Sequence, residues 1–106
     1  MTKINRPQPG CTYYAPIATA SRWPLVFGER QGVIVDQPSQ EQAVVYTTRE
    51  AAEQAFADPA VWGAGNRAHA RVAALIYRGP IMQGRSGFAF ADELEMHAHD
   101  QAVTNR

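Results

Sequence analysis

Two histidines near the end of the chain have the spacing that best fits a metal site. Glu95, His97 and His99 alternate along the sequence. On a β-strand all three side chains would project from one face, and two imidazoles at positions i and i+2 can bind Zn²⁺. On an α-helix His97 and His99 point about 200° apart, and Glu95 instead pairs with His99 as a surface i, i+4 ion pair. Solvated histidines are the simpler interpretation, so a metal-binding protein or metal-dependent enzyme is the alternative function.

Positive and negative side chains are separated along the C-terminal half. Residues 60–91 hold four arginines and no acidic residue, whereas residues 92–100 hold four acidic residues and no lysine or arginine. On a helix, three of the arginines would lie within about 40° of one another, and such a stripe can bind carboxylates or phosphates through paired hydrogen bonds. Its simplest interpretation is a solvated helix face or a surface covered by the acidic segment. The predicted partner-binding residues are these arginines and the neighbouring tryptophan: Arg67, Arg71, Arg78, Arg85 and Trp62.

Other catalytic chemistry has little support in the sequence. Cys11 lies in a segment rich in proline and glycine with no histidine nearby, so no neighbouring base would activate its thiol as a nucleophile. The serines are not part of a G-x-S-x-G nucleophile elbow, and residues 84–87 lack the further glycines or lysine of a nucleotide-binding loop. No catalytic residue and no cofactor are therefore predicted.

Composition places the chain in a broad class. Its 106 residues are 45% apolar and 19% charged, which suits a single compact domain. Ten Lys and Arg balance ten Asp and Glu, so the overall charge favours neither nucleic acid nor an anionic membrane. The apolar run at 72–77 is far shorter than the roughly 20 residues of a membrane span. With one cysteine and no apolar leader segment, the predicted location is the cytoplasm.

Three runs rich in β-branched and aromatic residues predict an antiparallel meander. They cover 23–27, 33–36 and 43–47, and a loop with glycine at both ends, 28–32, makes the first two a hairpin. The runs lack clean alternation, which indicates that parts of both sheet faces are covered. Residues 1–12 are predicted to be a loosely ordered arm, and the C-terminus from 103 is predicted to fray.

Helices are predicted after the third strand. Thr47-x-x-Glu50 has the pattern of a capping box for a helix over 48–57, and Asp58-Pro59 opens a short turn through Trp62. Residues 66–78 are predicted to be a helix that ends at a Gly-Pro pair. The alternative assignment is a strand at 72–77. Residues 88–101 are predicted to be a helix on propensity, although a strand also fits.

The predicted fold is therefore α+β, with a three-stranded, or with 72–77 four-stranded, antiparallel sheet followed by two or three packed helices. The predicted function is that of a small non-enzymatic protein that binds another macromolecule, in the first place a protein, as inhibitor, regulator or accessory factor. An origin in a mobile element is compatible with this function, and a homo-oligomer fits as well. Nucleic-acid binding through the stripe of Arg67, Arg71 and Arg78 is a less favoured alternative.

Overall fold

The computed structural model describes residues 3–4, 7–20, 22, 24, 26–30, 33–35, 42–63, 68–79 and 87–104. Over these ranges the chain has the predicted α+β character, although strands and helices alternate where the sequence predicted strands first and helices afterwards. The strands are β1 (Lys3–Ile4), β2 (Thr12–Ala18), β3 (Gly28–Arg30), β4 (Val33–Val35), β5 (Gln42–Ala43), β6 (Val45–Tyr46), β7 (Ala70–Tyr77) and β8 (Phe88–Phe90), and the helices are α1 (Arg49–Ala57) and α2 (Glu93–Thr104).

A five-stranded antiparallel sheet in the order β1-β6-β2-β7-β8 forms the centre of the molecule. Its two longest strands, β2 and β7, pair in continuous register from Thr12↔Ile76 to Ala18↔Ala70. The helix predicted over 66–78 is therefore wrong, and the rival strand is correct. Because β7 is covered on both faces, its apolar residues do not alternate with polar ones, and this removes the period that would have identified a strand.

The predicted hairpin exists, but its strands are displaced. β3 begins at Gly28, inside the predicted loop, and pairs with β4 across a two-residue connection. β3 also pairs with β5, so the small sheet has the order β4-β3-β5 and the predicted meander order is wrong. A hydrogen bond from Val44 N to Phe27 O, at 2.9 Å, holds the third predicted strand segment beside the first. Trp23 and Leu25, within the first predicted strand, lie outside the described residues.

Each face of the central sheet has its own hydrophobic cluster. Odd-numbered residues of β2 and β7, among them Ile17 and Leu75, belong to one cluster, and even-numbered residues, among them Tyr14 and Val72, belong to the other. This follows from the alternation of side chains along a strand. Helix α1 packs on the even-numbered face through Ala52 and Ala55. Both faces of the central sheet therefore carry buried apolar side chains.

Helix α1 spans almost the range that the sequence predicts, but its cap is one residue later. Thr48 is the N-cap, and its Oγ1 accepts a hydrogen bond from Ala51 N at 3.1 Å. The predicted capping box from Thr47 to Glu50 is therefore wrong. The turn after α1 is confirmed, since Asp58 Oδ1 accepts from Ala60 N at 2.9 Å ahead of Trp62.

The helix and the strand predicted as alternatives for 88–101 are each present in part of this segment. Phe88–Phe90 is strand β8 and pairs with β7 from Tyr77↔Phe88 to Leu75↔Phe90. Helix α2 begins only at Glu93, where Asp92 Oδ1 accepts from Glu95 N at 2.9 Å and caps the helix. The helix predicted from 88 is thus wrong in its first residues and correct in the remainder.

Residues near both ends of the chain take part in the fold. In the predicted arm, β1 pairs with β6, and Gly10, with a φ of 86°, donates its N–H to Tyr77 O at 2.8 Å. At the other end α2 extends through Thr104. Neither helix of the described ranges is long and apolar enough to cross a membrane.

Candidate functional site

The arginines of the predicted stripe do not share a helix face. Arg71 lies within β7, and Arg78 lies just beyond its end. Their separation of seven residues places them on opposite sides of an extended chain. Arg67 and Arg85 lie outside the described residues. The prediction of a helical basic stripe is therefore wrong for the described arginines, because its helix is a strand.

Trp62, predicted to contact a partner, is fully buried. Its ring packs edge to face against Phe27, with 5.0 Å between centroids, and against Phe56, with 5.7 Å. Its indole N–H has no hydrogen-bond acceptor among the described residues. Trp62 thus anchors the turn after α1 to the core beneath that helix.

The structure instead brings together a charged cluster around Glu95 on α2, called the Glu95 cluster below. The Glu95 side chain is 12% exposed, and each of its carboxylate oxygens faces a different arginine. Oε1 accepts from Arg49 Nη2, and Oε2 accepts from Arg71 Nη2 at 3.3 Å. One carboxylate therefore joins the first turn of α1, the start of strand β7 and the first turn of α2.

His99 completes the Glu95 cluster one turn further along α2. It is fully buried, its ring lies 5.1 Å from that of Phe90, and its Nδ1 is 3.5 Å from Arg71 Nη1. Because a guanidinium can only donate, this contact is a hydrogen bond only when His99 Nδ1 carries no proton and accepts.

The side chains that hold Glu95 are positioned differently. Arg49 is 46% exposed, and its guanidinium carbon lies 5.4 Å from the centre of the Tyr14 ring, within cation–π distance. Arg71 is 22% exposed and is fixed by the pairing of β7 with β2. Two guanidinium groups therefore meet one carboxylate, and the cluster has a local excess of positive charge.

The alternative metal site is not assembled. His97 and His99 lie on helix α2, where His97 is exposed and His99 is buried, so the two imidazoles point apart. Glu95 is turned toward the arginines. In the ranges that the structure describes, no three His, Cys, Asp or Glu side chains are grouped as metal ligands. The strand geometry on which this alternative depends is replaced by a helix.

The outward side of α2 carries apolar residues. Leu94 is 79% exposed, and Ala98, one turn later, is also exposed. At 100° per residue these two side chains lie about 40° apart, so they form a single flank, named the Leu94 flank here. The exposed carboxylates nearest in sequence are Asp92, Glu93 and Asp100. The Leu94 flank is therefore apolar, and exposed carboxylates lie elsewhere on the same helix and at its N-terminus.

Sequence reasoning missed the Glu95 cluster because Arg49 and Glu95 are 46 residues apart. One local signal was present: Asp92-x-x-Glu95 has the spacing of a helix N-terminus, which places the start of α2 after β8. This spacing does not indicate which arginines contact Glu95. That depends on the pairing of β7 and β8.

Comparison with known proteins leaves the site to be interpreted from its own geometry. No model of a known protein family matches the chain. Neither the curated proteins nor the solved structures contain a significant match.

Proposed function

We propose that this chain acts without catalysis by binding another protein, as an inhibitor, regulator or accessory factor, and that the Leu94 flank of α2 makes the contact. The observation that carries the proposal is the 79% exposure of Leu94 on a helix that buries Glu95 and His99 instead. Removing such a leucine from water is worth roughly 1.5 to 3 kcal/mol, enough for it to dominate a small interface.

The exposed carboxylates of α2 and its N-terminus indicate the chemistry of the partner. Asp92, Glu93 and Asp100 are exposed. A complementary surface would have an apolar pocket bordered by lysine or arginine, because opposite potentials speed association and determine orientation. The arginine face expected from the sequence is not favoured in this role, since Arg71 is paired with Glu95 and Trp62 is buried.

Site-specific photo-crosslinking tests the proposal. A photoreactive amino acid is placed at Leu94 and, as the matched control, at exposed Gln54 on α1, and the protein is produced in its native cells. We expect one discrete protein adduct from position 94 and none from position 54. With that partner purified, Leu94→Asp should weaken binding at least about tenfold, or about 1.4 kcal/mol, without lowering the unfolding midpoint of the free protein.

Several results would contradict all or part of the proposal. If position 94 gives no adduct, or gives the same adducts as position 54, the Leu94 flank is not an interface. An adduct between two copies of this chain would identify a homo-oligomer in place of a different partner. Binding that is insensitive to salt would remove the predicted basic border of the partner.

A further inference from the structure

Of the α2 residues whose burial is described, only His99 is fully buried, and it is polar. The inward residues of α2 are Glu95, fully buried His99, and the partly buried Ala102 and Val103. Helix α1, in contrast, buries Ala52 and Ala55 in a hydrophobic cluster beside Trp62. Elements with few buried apolar contacts open before the rest of a fold, so α2 is the helix that can separate from the sheet while the core stays intact.

The two arginines that hold Glu95 do not depend on α2 for their positions. Arg49 belongs to the apolar-packed α1 and lies over the Tyr14 ring. Arg71 belongs to β7, which is paired with β2. When α2 separates, two guanidinium groups that had shared one carboxylate remain close together, and their mutual repulsion favours any anion that takes its place.

From this geometry we infer that Arg49 and Arg71 form a binding site for a carboxylate, which Glu95 fills in the free protein. An incoming carboxylate competes with Glu95 and releases α2. Arg49 is 46% exposed, so the site can be approached from solvent. Carboxylate is the ligand class that the geometry favours, because each arginine takes one of two oxygens of a single planar group. The inference goes beyond the proposed partner and does not depend on it.

Acetate is the probe, and removal of the internal carboxylate is the first test. Acetate should stabilise Glu95→Ala with a saturable dose response, and at ten times its dissociation constant the ratio of folded to unfolded protein should rise about elevenfold. Sodium chloride at equal ionic strength should not reproduce this. The response should be lost in Glu95→Ala/Arg71→Gln. The matched control, Asp100→Ala, removes an exposed carboxylate from the same helix and should show no response.

Amide hydrogen exchange of the unmodified protein is the second test, and it does not require any variant to fold. Acetate should speed exchange in α2 while exchange in β7 stays unchanged, and chloride should have no such effect. The inference is overturned if acetate and chloride act alike on both Glu95→Ala and α2 exchange. It is also overturned if the Arg71→Gln substitution leaves the acetate response intact. Because purified protein suffices, failure here leaves the crosslinking test of the Leu94 flank unaffected.

Discussion

Breaking the Glu95 cluster one pair at a time should show that Arg71 contributes more to stability than Arg49. The perturbations are Glu95→Gln, Arg71→Gln and Arg49→Gln, singly and as the two double variants that include Glu95. Two unit charges 3.3 Å apart, as in the Arg71–Glu95 pair, attract by about 5 kcal/mol at an effective dielectric constant of about 20. Loss of hydration offsets most of this attraction.

The solvent exposure of the two side chains determines how much of this attraction contributes to the free energy of unfolding. Exposed ion pairs contribute about 0.2 to 1 kcal/mol, whereas removing one partner of a buried pair costs about 3 to 5 kcal/mol. Arg71 and Glu95 are 22% and 12% exposed and fall between these limits, so we expect a coupling energy of about 1 to 2 kcal/mol. Arg49 is 46% exposed, and its coupling with Glu95 should stay below about 1 kcal/mol.

Urea unfolding, followed by tryptophan fluorescence and by circular dichroism, measures the five variants against the parent protein. Arg78→Gln combined with Glu95→Gln is the control, because Arg78 is exposed and no ion pair joins it to Glu95; its effects should add within about 0.5 kcal/mol. The reasoning is refuted if the Arg71–Glu95 coupling is below about 0.5 kcal/mol, or if the Arg49–Glu95 coupling exceeds it.

Two further predictions concern packing and helix capping. Trp62→Ala should lower the free energy of unfolding by about 3 to 5 kcal/mol, because it empties a fully buried position between Phe27 and Phe56; a loss below about 1 kcal/mol in urea unfolding would show that Trp62 is not a core residue. Thr48→Ala should cost about 1 kcal/mol through loss of the α1 cap, while Thr47→Ala should cost less than about 0.5 kcal/mol, and the opposite order would place the cap at Thr47.

Local signals were sufficient for α1 and the turn that follows it. A hydroxyl cap, a run of strong helix formers and the Asp58-Pro59 pair all act within a few residues, and the helix lies where they predict. The N-cap predicted at Thr47 is wrong by one residue, because the structure has it at Thr48. Both Thr47 and Thr48 can cap a helix, and only the backbone geometry decides between them.

Strand β2 was obscured by its composition. Pro16 lacks an N–H donor, and prolines are expected at sheet edges, so the composition of this segment does not predict a central strand. In the structure Pro16 pairs with Val72, two residues beyond the last pairing of β2 with β6 at Tyr14. Pro16 thus lies between the end of the β6 pairing and an isolated bridge from Ile17 to Val26, where the ladder on that side of β2 is interrupted.

Arg71 shows how one wrong element changes a functional hypothesis. On a helix it would belong to an exposed basic stripe with Arg78, whereas on β7 it is directed to Glu95 and His99. The acidic and basic segments are complementary, as the sequence indicated, but in the case of Arg71 and Glu95 they meet within the chain. The partner-binding surface is therefore proposed on α2 rather than on the arginines.

The sequence by itself determined the features that depend on composition and on neighbours along the chain: an α+β domain, helix α1, the turn at Asp58 and the separation of charge. Tertiary structure alone decided that 70–77 is a strand and that Arg49 and Arg71 share one carboxylate. The reason is physical. An apolar run such as 72–77 can be buried as a helix or as a strand, and the free energy of pairing β2, β7 and β8 selects between them, after which the positions of distant charges follow.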